Sequence, residues 1–335
     1  MKPQSRHKAR VHVSWPLLKA FSVTARLPRA FESEPMPAET FAGKPEPDFF
    51  CVGAQKAGTT WLYYQLATHP DFWMPPLKEV HYFDQLSRTR ASAPPPRDSR
   101  DACFLARVKR LSEQSHIDLE NYGRLFEPKG ALLSGDITPA YSMLNEELIE
   151  RIAARFPNAR VIFIARDPVE RAWSQLSMGV RLQNIDPFDV TNVDEVIRSL
   201  LNPGVLLRSY PTKIVARWKR YVRPELFRVF FFDELEENPA ALRRSILDFL
   251  GSDQQKAANP SPDGGSRERK RKKLPLNDRA RAALAHFFKD ELKACAKELG
   301  GPARKWPARY GFSFVVFLWQ MTDYLDLFFW CDLIA

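Results

Sequence analysis

Four short apolar runs, each followed by a stretch with a different periodicity, limit the folds that this chain can adopt. The runs lie at residues 48–52, 131–136, 160–167 and 226–235. A strand that is apolar throughout is buried on both faces, and a sequence that alternates such strands with helices is typical of a parallel sheet. We therefore predict an α/β fold, with a parallel β-sheet flanked by helices on both faces.

The stretches after three of these runs have helical spacing. Apolar residues recur every three or four positions over residues 145–156. The stretches at 168–182 and 238–251 each carry a proline near the start, where it fits a first helical turn. Gly251 is placed to end the third helix.

The turns after the first three strands are predicted to share one edge of the sheet. In open parallel sheets, ligands bind outside the carboxyl ends of the strands. These turns are residues 53–60, 136–141 and 166–174. We therefore expect the functional side chains to come from these three turns.

The chain of 335 residues, 44% of them hydrophobic, is predicted to form one folded domain over residues 45–310. Residues 1–44 begin with a basic stretch and are expected to be a disordered arm. Residues 311–335 are apolar and aromatic but contain three aspartates, which are costly in a spanning helix. We interpret this segment as a buried or interfacial helix. Residues 87–101 and 252–273 interrupt the pattern and are expected to be polar loops.

The charge balance and the cysteines narrow the functional classes. The formal net charge is +10, which favours anionic partners such as nucleotides, acidic glycans, nucleic acid or acidic lipids. The cysteines are scattered without a C-x-x-C pair, which argues against a zinc site and a disulfide scaffold. They are Cys51, Cys103, Cys295 and Cys331. A reducing compartment, and hence a cytoplasmic location, is the expectation.

The turn after the first strand, Gly-Ala-Gln-Lys-Ala-Gly-Thr-Thr, is similar to a phosphate-binding loop with a displaced lysine. The glycines have the spacing of the ATP-binding pattern, but Thr59 occupies the lysine position, and Lys56 lies three residues earlier. The backbone N–H groups of such a loop and the following helix N-terminus bind anions. A P-loop-like anion site is predicted here, with Lys56 beside a leaving phosphate. A simple turn is the alternative.

Two further motifs can complete a site at this edge. Arg166 ends a buried strand and Ser174 follows two helical turns later, which suits a second phosphate. The alternative is a surface ion pair of Arg166 with Asp167 and an ordinary helical serine. Glu79 and His81 flank Val80, so an extended segment would place both on one face. A carboxylate beside an imidazole can remove a proton from an acceptor, although a lone glutamate is more often simply solvated.

In order and spacing, these motifs resemble the sulfotransferases that use 3′-phosphoadenosine 5′-phosphosulfate (PAPS). Residues 49–70 are similar to their 5′-phosphosulfate loop, and residues 161–175 to their 3′-phosphate motif. Residues 78–84 (KEVHYFD) and 135–141 (GDITPAY) resemble segments of the branch that acts on heparan-type and bacterial carbohydrates. The resemblance extends from Phe49 to about Trp306.

The resemblance implies a role for each motif. Lys56 would contact the oxygen between sulfur and the 5′-phosphate, Glu79 would be the general base, and His81 would orient or assist it. Arg166 and Ser174 would hold the 3′-phosphate. The backbone that would hold the 5′-phosphate is that of Ala57, Gly58, Thr59, Thr60 and Trp61.

Two positions depart from the family pattern or match it loosely. Ile137 stands where animal heparan enzymes commonly have a lysine, which puts a heavily sulfated polymer in doubt as the acceptor. The basic run Lys270, Arg271 and Lys272 corresponds by position to a late PAPS-contacting loop, but it can equally be a solvated surface. Because the transferred SO₃ is formally neutral, we expect no metal requirement.

The sequence therefore predicts a PAPS-dependent sulfotransferase that acts on a hydroxyl or amine of a glycan, a glycolipid or another small acceptor. Nucleic acid is not an expected partner, and peripheral membrane contact through the basic N-terminus or the apolar C-terminus is possible. A P-loop kinase and a non-catalytic protein that binds anionic glycans or membranes are the alternatives. The loops expected to select the acceptor, residues 87–118 and 181–211, carry no readable code.

Overall fold

A computed structural model describes residues 44–85, 93–256 and 273–312 of the chain. The described part contains one sheet of four parallel strands in the order β2-β1-β3-β4. The strands are β1 Phe49–Gly53, β2 Gly135–Ile137, β3 Arg160–Ala165 and β4 Phe227–Phe231. The predicted α/β fold with a P-loop-like parallel sheet is confirmed.

Twelve α-helices connect and cover the strands of the described residues. They are α1 Thr59–Ala67, α2 Ser99–Ser112, α3 Leu119–Gly123, α4 Glu146–Arg155, α5 Pro168–Arg181, α6 Val193–Leu200, α7 Pro203–Leu206, α8 Pro211–Lys219, α9 Phe232–Glu237, α10 Pro239–Leu250, α11 Asp278–Phe287 and α12 Lys289–Glu298. Short 3₁₀ turns lie between them at Arg124–Lys129, Pro139–Met143, Leu207–Ser209, Pro224–Leu226, Gln254–Lys256, Gly301–Lys305 and Pro307–Tyr310.

Two predicted strands take up at most half of their apolar runs. In the run at 131–136, only the last two residues enter β2, because Leu133 instead forms an isolated bridge with Phe72. The run at 226–235 stops at Phe231, where α9 begins. The backbone N–H of Phe231 donates to Glu234 Oε2 at 2.8 Å, so this side chain caps the new helix.

The predicted helices are present, and their starts have local causes. Asparagine side chains cap α4, α10 and α11 by accepting a backbone N–H of the first turn: Asn145 from Leu148, Asn238 from Ala241 and Asn277 from Ala280. Such a cap contributes about 1 kcal/mol. Gly251 ends α10 with φ 74°, a conformation that favours glycine.

The stretch at 278–300 contains two helices, α11 and α12. Phe288 separates them with φ −92° and ψ 11°. Its ring is buried and lies edge-on to Tyr210, with the ring centroids 5.9 Å apart.

The two central strands β1 and β3 form the middle of the core. Every residue of β1 is buried, and so is all of β3 after Arg160. Helices therefore cover both faces of the sheet, as the continuous apolar runs predicted. At the amino end of β1, the buried Lys129 binds Asp48 Oδ2 at 2.7 Å, which ties the entry of β1 to the approach of β2.

Several sequence predictions fall on parts of the chain that the structure does not describe. The arm at 1–44 and the segment at 311–335 lie outside the described residues, except for Lys44, Gly311 and Phe312. The loop at 87–101 is described from residue 93; residues 93–99 are exposed, and α2 begins inside it. None of the helices in the described ranges has the length and apolar character needed to cross a bilayer.

Candidate functional site

The phosphate-type loop lies between β1 and α1, at the carboxyl end of the sheet. Gly58 precedes α1 with φ 86°, and Lys56 also has a positive φ of 71°. This turn directs the chain into α1, whose first N–H groups have no partner within the helix. Thr59, Thr60 and Trp61 form that first turn. The structure therefore places the predicted residues Lys56 to Trp61 around one helix N-terminus, a geometry that suits an anion.

Arg166 joins this loop from the end of β3. Its Nη1 donates to the carbonyl oxygen of Lys56 at 2.5 Å, and its guanidinium lies 4.1 Å from the ring centroid of Phe232. The residue is only 8% exposed, and burial lowers its pKa. Its Nε is buried without a hydrogen-bond partner among the described residues. Arg166 is therefore not a surface ion-pair residue.

A polar cavity of about 360 Å³ opens beside Arg166. Its walls mix cations and acids: Arg166, Asp167, Glu170, Phe232, Asp233, Glu236, Arg281, Arg309 and Tyr310. Several of these charges are already paired. Arg281 binds Glu170 at 2.5 Å, and Arg309 pairs with Asp233. Among the cavity's arginines, Arg166 is the one that also holds the phosphate-type loop.

Ser174 lies on α5, one helical turn before the residue that the end of Lys56 contacts. It is buried in α5, and Met178 follows it by one helical turn. The ammonium nitrogen of Lys56 lies 3.7 Å from the sulfur of Met178. Because residues four apart share a helix face, Ser174 lies one turn from the point that Lys56 reaches.

The basic residues Lys270, Arg271 and Lys272 lie outside the described residues. The chain that follows them is anchored on α5, on both sides of Ser174 in sequence. Trp173 Nε1 donates to Leu274 O at 3.0 Å, and Leu274 N donates to Ser177 Oγ at 3.3 Å.

Glu79 and His81 do meet, and Asp84 joins them. His81 Nε2 lies 3.0 Å from Glu79 Oε2, and His81 Nδ1 lies 3.0 Å from Asp84 Oδ2. Lys78 pairs with the other oxygen of Glu79. The result is a line of groups, Lys78–Glu79–His81–Asp84, which we call the acid–histidine line.

The segment that carries this line is a turn and not the extended piece that sequence alternation assumed. His81 has φ 52°, and residues 82–84 form a turn. This turn brings the carboxylate of Asp84 within hydrogen-bonding distance of the His81 imidazole. Sequence reasoning missed Asp84, although the spacing of three residues between His81 and an acid is a signal that could have suggested it.

Within the acid–histidine line, the pKa of Glu79 is lowered and the pKa of His81 is raised. Burial raises the pKa of Glu79, but the hydrogen bond from His81 and the charge of Lys78 outweigh it and bring the pKa to about 2. Burial lowers the pKa of His81, but the hydrogen bonds to Asp84 and Glu79 outweigh it and raise the pKa to about 9. At neutral pH the line therefore holds an ionised glutamate against an imidazolium.

The two aspartates at the ends of apolar runs of the sequence accept hydrogen bonds from protein groups. Asp136 accepts three hydroxyl hydrogen bonds, from Thr138, Tyr141 and Tyr122. Asp167 caps α5 and accepts from Tyr310 at 3.0 Å. Within residues 44–85, 93–256 and 273–312, no three or more His, Cys, Asp or Glu side chains are grouped as metal ligands.

Known proteins with sequences similar to this chain are sulfotransferases. Over 292 residues the chain is 25% identical to the bifunctional heparan sulfate N-deacetylase/N-sulfotransferase 2 of Homo sapiens, covering 78% of this chain and 30% of that protein. Over 139 residues it is 28% identical to the membrane-associated sulfotransferase kil1 of Dictyostelium discoideum, covering 40% of this chain and 23% of the relative. The chain thus spans less than a third of these relatives' length.

A solved structure has the same fold. The sulfotransferase from Alicyclobacillus acidocaldarius superposes with a TM-score of 0.56 at 24% identity, covering 78% of this chain and 98% of that one. The family model described as "Sulfotransferase family" matches residues 47–256, which include both phosphate motifs and the acid–histidine line. The resemblance drawn from the sequence, including its carbohydrate-type branch, is confirmed, and the chain belongs to the sulfotransferase family.

Proposed function

We propose that this chain transfers the sulfuryl group of PAPS to a hydroxyl or amine of a glycan or glycolipid. One observation carries the proposal: a loop of the phosphate-binding type with a displaced lysine and a carboxylate–imidazole pair lie at the carboxyl ends of the adjacent strands β1 and β2. Val80, between Glu79 and His81, donates its N–H to Thr138, the residue that follows β2. Donor and acceptor groups would therefore meet at one edge of the sheet.

On the donor side, each charged group has a distinct task. The loop backbone at Ala57, Gly58, Thr59, Thr60 and Trp61 would hold the 5′-phosphate, and Lys56 would stabilise the charge that grows on its oxygen as the S–O bond breaks. Arg166 and Ser174 would hold the 3′-phosphate. The buried, unpartnered Nε of Arg166 supports this role, since a buried cation with an unmet donor favours an anion. Lys270, Arg271 and Lys272 stay predicted additional contacts.

On the acceptor side, Glu79 would take the proton as the acceptor oxygen or nitrogen attacks sulfur. Adenosine 3′,5′-bisphosphate then leaves, and the sulfated acceptor remains. A pKa of about 2 makes Glu79 a weak base while Lys78 and His81 are bound to it. An acceptor that displaces Lys78 removes one of these charges and brings the pKa closer to the range that suits a general base. His81, held by Asp84, would orient the carboxylate.

The class of acceptor and the cellular location are also proposed. A glycan is favoured because the curated relatives that match most of this chain are named heparan sulfate N-sulfotransferases. Peripheral membrane contact through residues 1–44 or 311–335 is proposed from their basic and apolar composition, and one relative is named membrane-associated. The expected cytoplasmic location remains a proposal.

Thermal unfolding with different nucleotides tests the donor. Adenosine 3′,5′-bisphosphate at a hundredfold excess over its dissociation constant should stabilise the fold by about 2.7 kcal/mol, and the shift should persist in EDTA. A screen with labelled PAPS against glycans, glycolipids and phenols then identifies the acceptor. Stabilisation by Mg-ATP but not by the bisphosphate would contradict the proposal and favour a kinase.

A further inference from the structure

A buried carboxylate, that of Asp136, is linked by hydrogen bonds to the segment that carries the acid–histidine line. Asp136 in β2 is 1% exposed and accepts a hydrogen bond from Thr138 Oγ1 at 2.6 Å, to Oδ1. Its Oδ2 accepts from Tyr141 OH and from Tyr122 OH, each at 2.8 Å. All three donors are fully buried. We call Asp136, Thr138 and Tyr141 the support network.

Two of these hydroxyls also receive the backbone of the segment that carries Glu79 and His81. Thr138 Oγ1 accepts from Val80 N at 2.9 Å and from His81 N at 3.4 Å. Tyr141 OH accepts from Tyr82 N at 3.2 Å. Three successive amides, at residues 80, 81 and 82, therefore donate to two side chains from the turn after β2, and the N–H of Val80 also donates to Asp136 Oδ1 at 3.4 Å.

The carboxylate sets the direction of these hydrogen bonds. A hydroxyl has one proton, and Thr138 and Tyr141 each give it to Asp136. Their lone pairs are then left to accept the backbone N–H groups. The segment at 78–84 is neither helix nor strand. These hydrogen bonds therefore act together with the buried side chains of Val80, Tyr82 and Phe83 to fix where Glu79 and His81 lie.

We propose that Asp136, Thr138 and Tyr141 are positioning residues, which fix the backbone at residues 80–82 and thereby aim the acid–histidine line at the acceptor. Their effect on sulfuryl transfer rests on the proposed function. Their effect on the geometry of His81 does not, because it concerns contacts within the protein. The two effects are therefore measurable separately.

Tyr122 supplies a matched control. It donates to the same oxygen of Asp136 as Tyr141, over the same 2.8 Å, and is equally buried. No amide of residues 80–82 donates to its hydroxyl in the described structure. Tyr141→Phe and Tyr122→Phe thus remove the same hydrogen bond from Asp136, and only the first also releases the catalytic segment.

We expect the two variants to lose similar thermal stability and to differ at the site. In Tyr141→Phe, kcat at saturating acceptor should fall by tens to about 100-fold, the order associated with a misplacement of about 1 Å. The Kd for adenosine 3′,5′-bisphosphate should be unchanged. In Tyr122→Phe, kcat should stay within about threefold of the wild type.

Imidazole NMR of His81, assigned with His81→Asn, gives a readout that needs no acceptor. The pKa of His81, raised to about 9 in the intact line, should move toward its ordinary value in Tyr141→Phe and stay in place in Tyr122→Phe. Thr138→Val should behave as Tyr141→Phe does, and Thr138→Ser, which restores the hydroxyl, should rescue it. This pair keeps the test available if Tyr141→Phe does not fold.

Equal loss of kcat and equal His81 titration in Tyr141→Phe and Tyr122→Phe would overturn the proposal, because the network would then be only structural. If no acceptor is ever sulfated but His81 titrates as expected, the proposed function fails and the positioning role stands.

Discussion

The proposed donor loop and the proposed acceptor segment lie at the same edge of the sheet but are held in different ways. Residues 53–60 form a strand–turn–helix unit that is shaped by local backbone, with Gly58 in the left-handed region and α1 starting directly afterwards. The segment at 78–84 is not part of a strand–turn–helix unit. Its backbone N–H groups donate to the hydroxyls of Thr138 and Tyr141, residues that lie more than fifty positions further along the chain. Donor binding should therefore tolerate changes that disable transfer.

Glu79→Gln is expected to give the largest difference between the effect on sulfuryl transfer and the effect on donor binding. The substitution keeps the shape and removes the basicity, and general-base catalysis contributes on the order of 10²–10⁴-fold. Turnover should fall within that range while the bisphosphate binds as to the wild type. Measurement of kcat beside calorimetric binding checks both halves. Transfer at the wild-type rate would place the base elsewhere, with His81→Asn the next variant to measure.

Arg166→Ala should have the opposite effect. A charge-assisted hydrogen bond is worth about 1.5–3 kcal/mol, so the Kd of adenosine 3′,5′-bisphosphate should rise by about 10- to 150-fold. Adenosine 5′-phosphate lacks the 3′-phosphate and should lose less, with any loss reflecting the broken contact to the Lys56 carbonyl.

Arg281→Ala is the control for Arg166→Ala, because it removes a charge from the same cavity without touching the loop. Its effect on the bisphosphate should be smaller. An equal loss for both nucleotides in Arg166→Ala would show that Arg166 shapes the loop and does not read the 3′ position.

A smaller effect is expected from pH, through the contribution of Glu79 and His81 to the free energy of unfolding. The pKa of Glu79 is lowered to about 2, so its stabilisation is complete above about 4.5, its ordinary value, and is lost as pH falls toward 2. The pKa of His81 is raised to about 9, so its stabilisation is complete below about 6.5 and is lost as pH rises toward 9. The pair stabilises most between these ordinary values.

Denaturant unfolding of the wild type and of His81→Asn at pH 6 and pH 9 measures this contribution. The difference in unfolding free energy between the two proteins should shrink at pH 9, by on the order of 2 kcal/mol. Other titrating groups are common to both proteins and cancel. A difference that does not change with pH would mean that the line is not an ion pair in solution.

The contrast between the two sides also explains what could be predicted from the sequence. The parallel sheet and the helices with asparagine caps follow from local patterns, because strand, turn and helix are contiguous in the chain. Lys56 and Arg166 are 110 residues apart, and their turns meet because the parallel strands β1 and β3 are neighbours. Asp84 was missed because a turn with a positive φ at His81 brings it to the imidazole. The support network was missed because it joins residues whose proximity only the sheet topology creates.

The central position of β1 has a consequence for how the site comes into being. The first strand of the sheet pairs with β2 on one side and with β3 on the other, and β4 joins last at the edge. Each pairing closes a loop of dozens of residues, and parallel pairings of this kind form slowly because the entropy of loop closure is lost before the contacts form. We therefore expect ribosome-bound chains that end before Thr138 to have neither a seated phosphate loop nor an aligned Glu79. Until then the apolar strand Phe49–Gly53 is unpaired and open to aggregation.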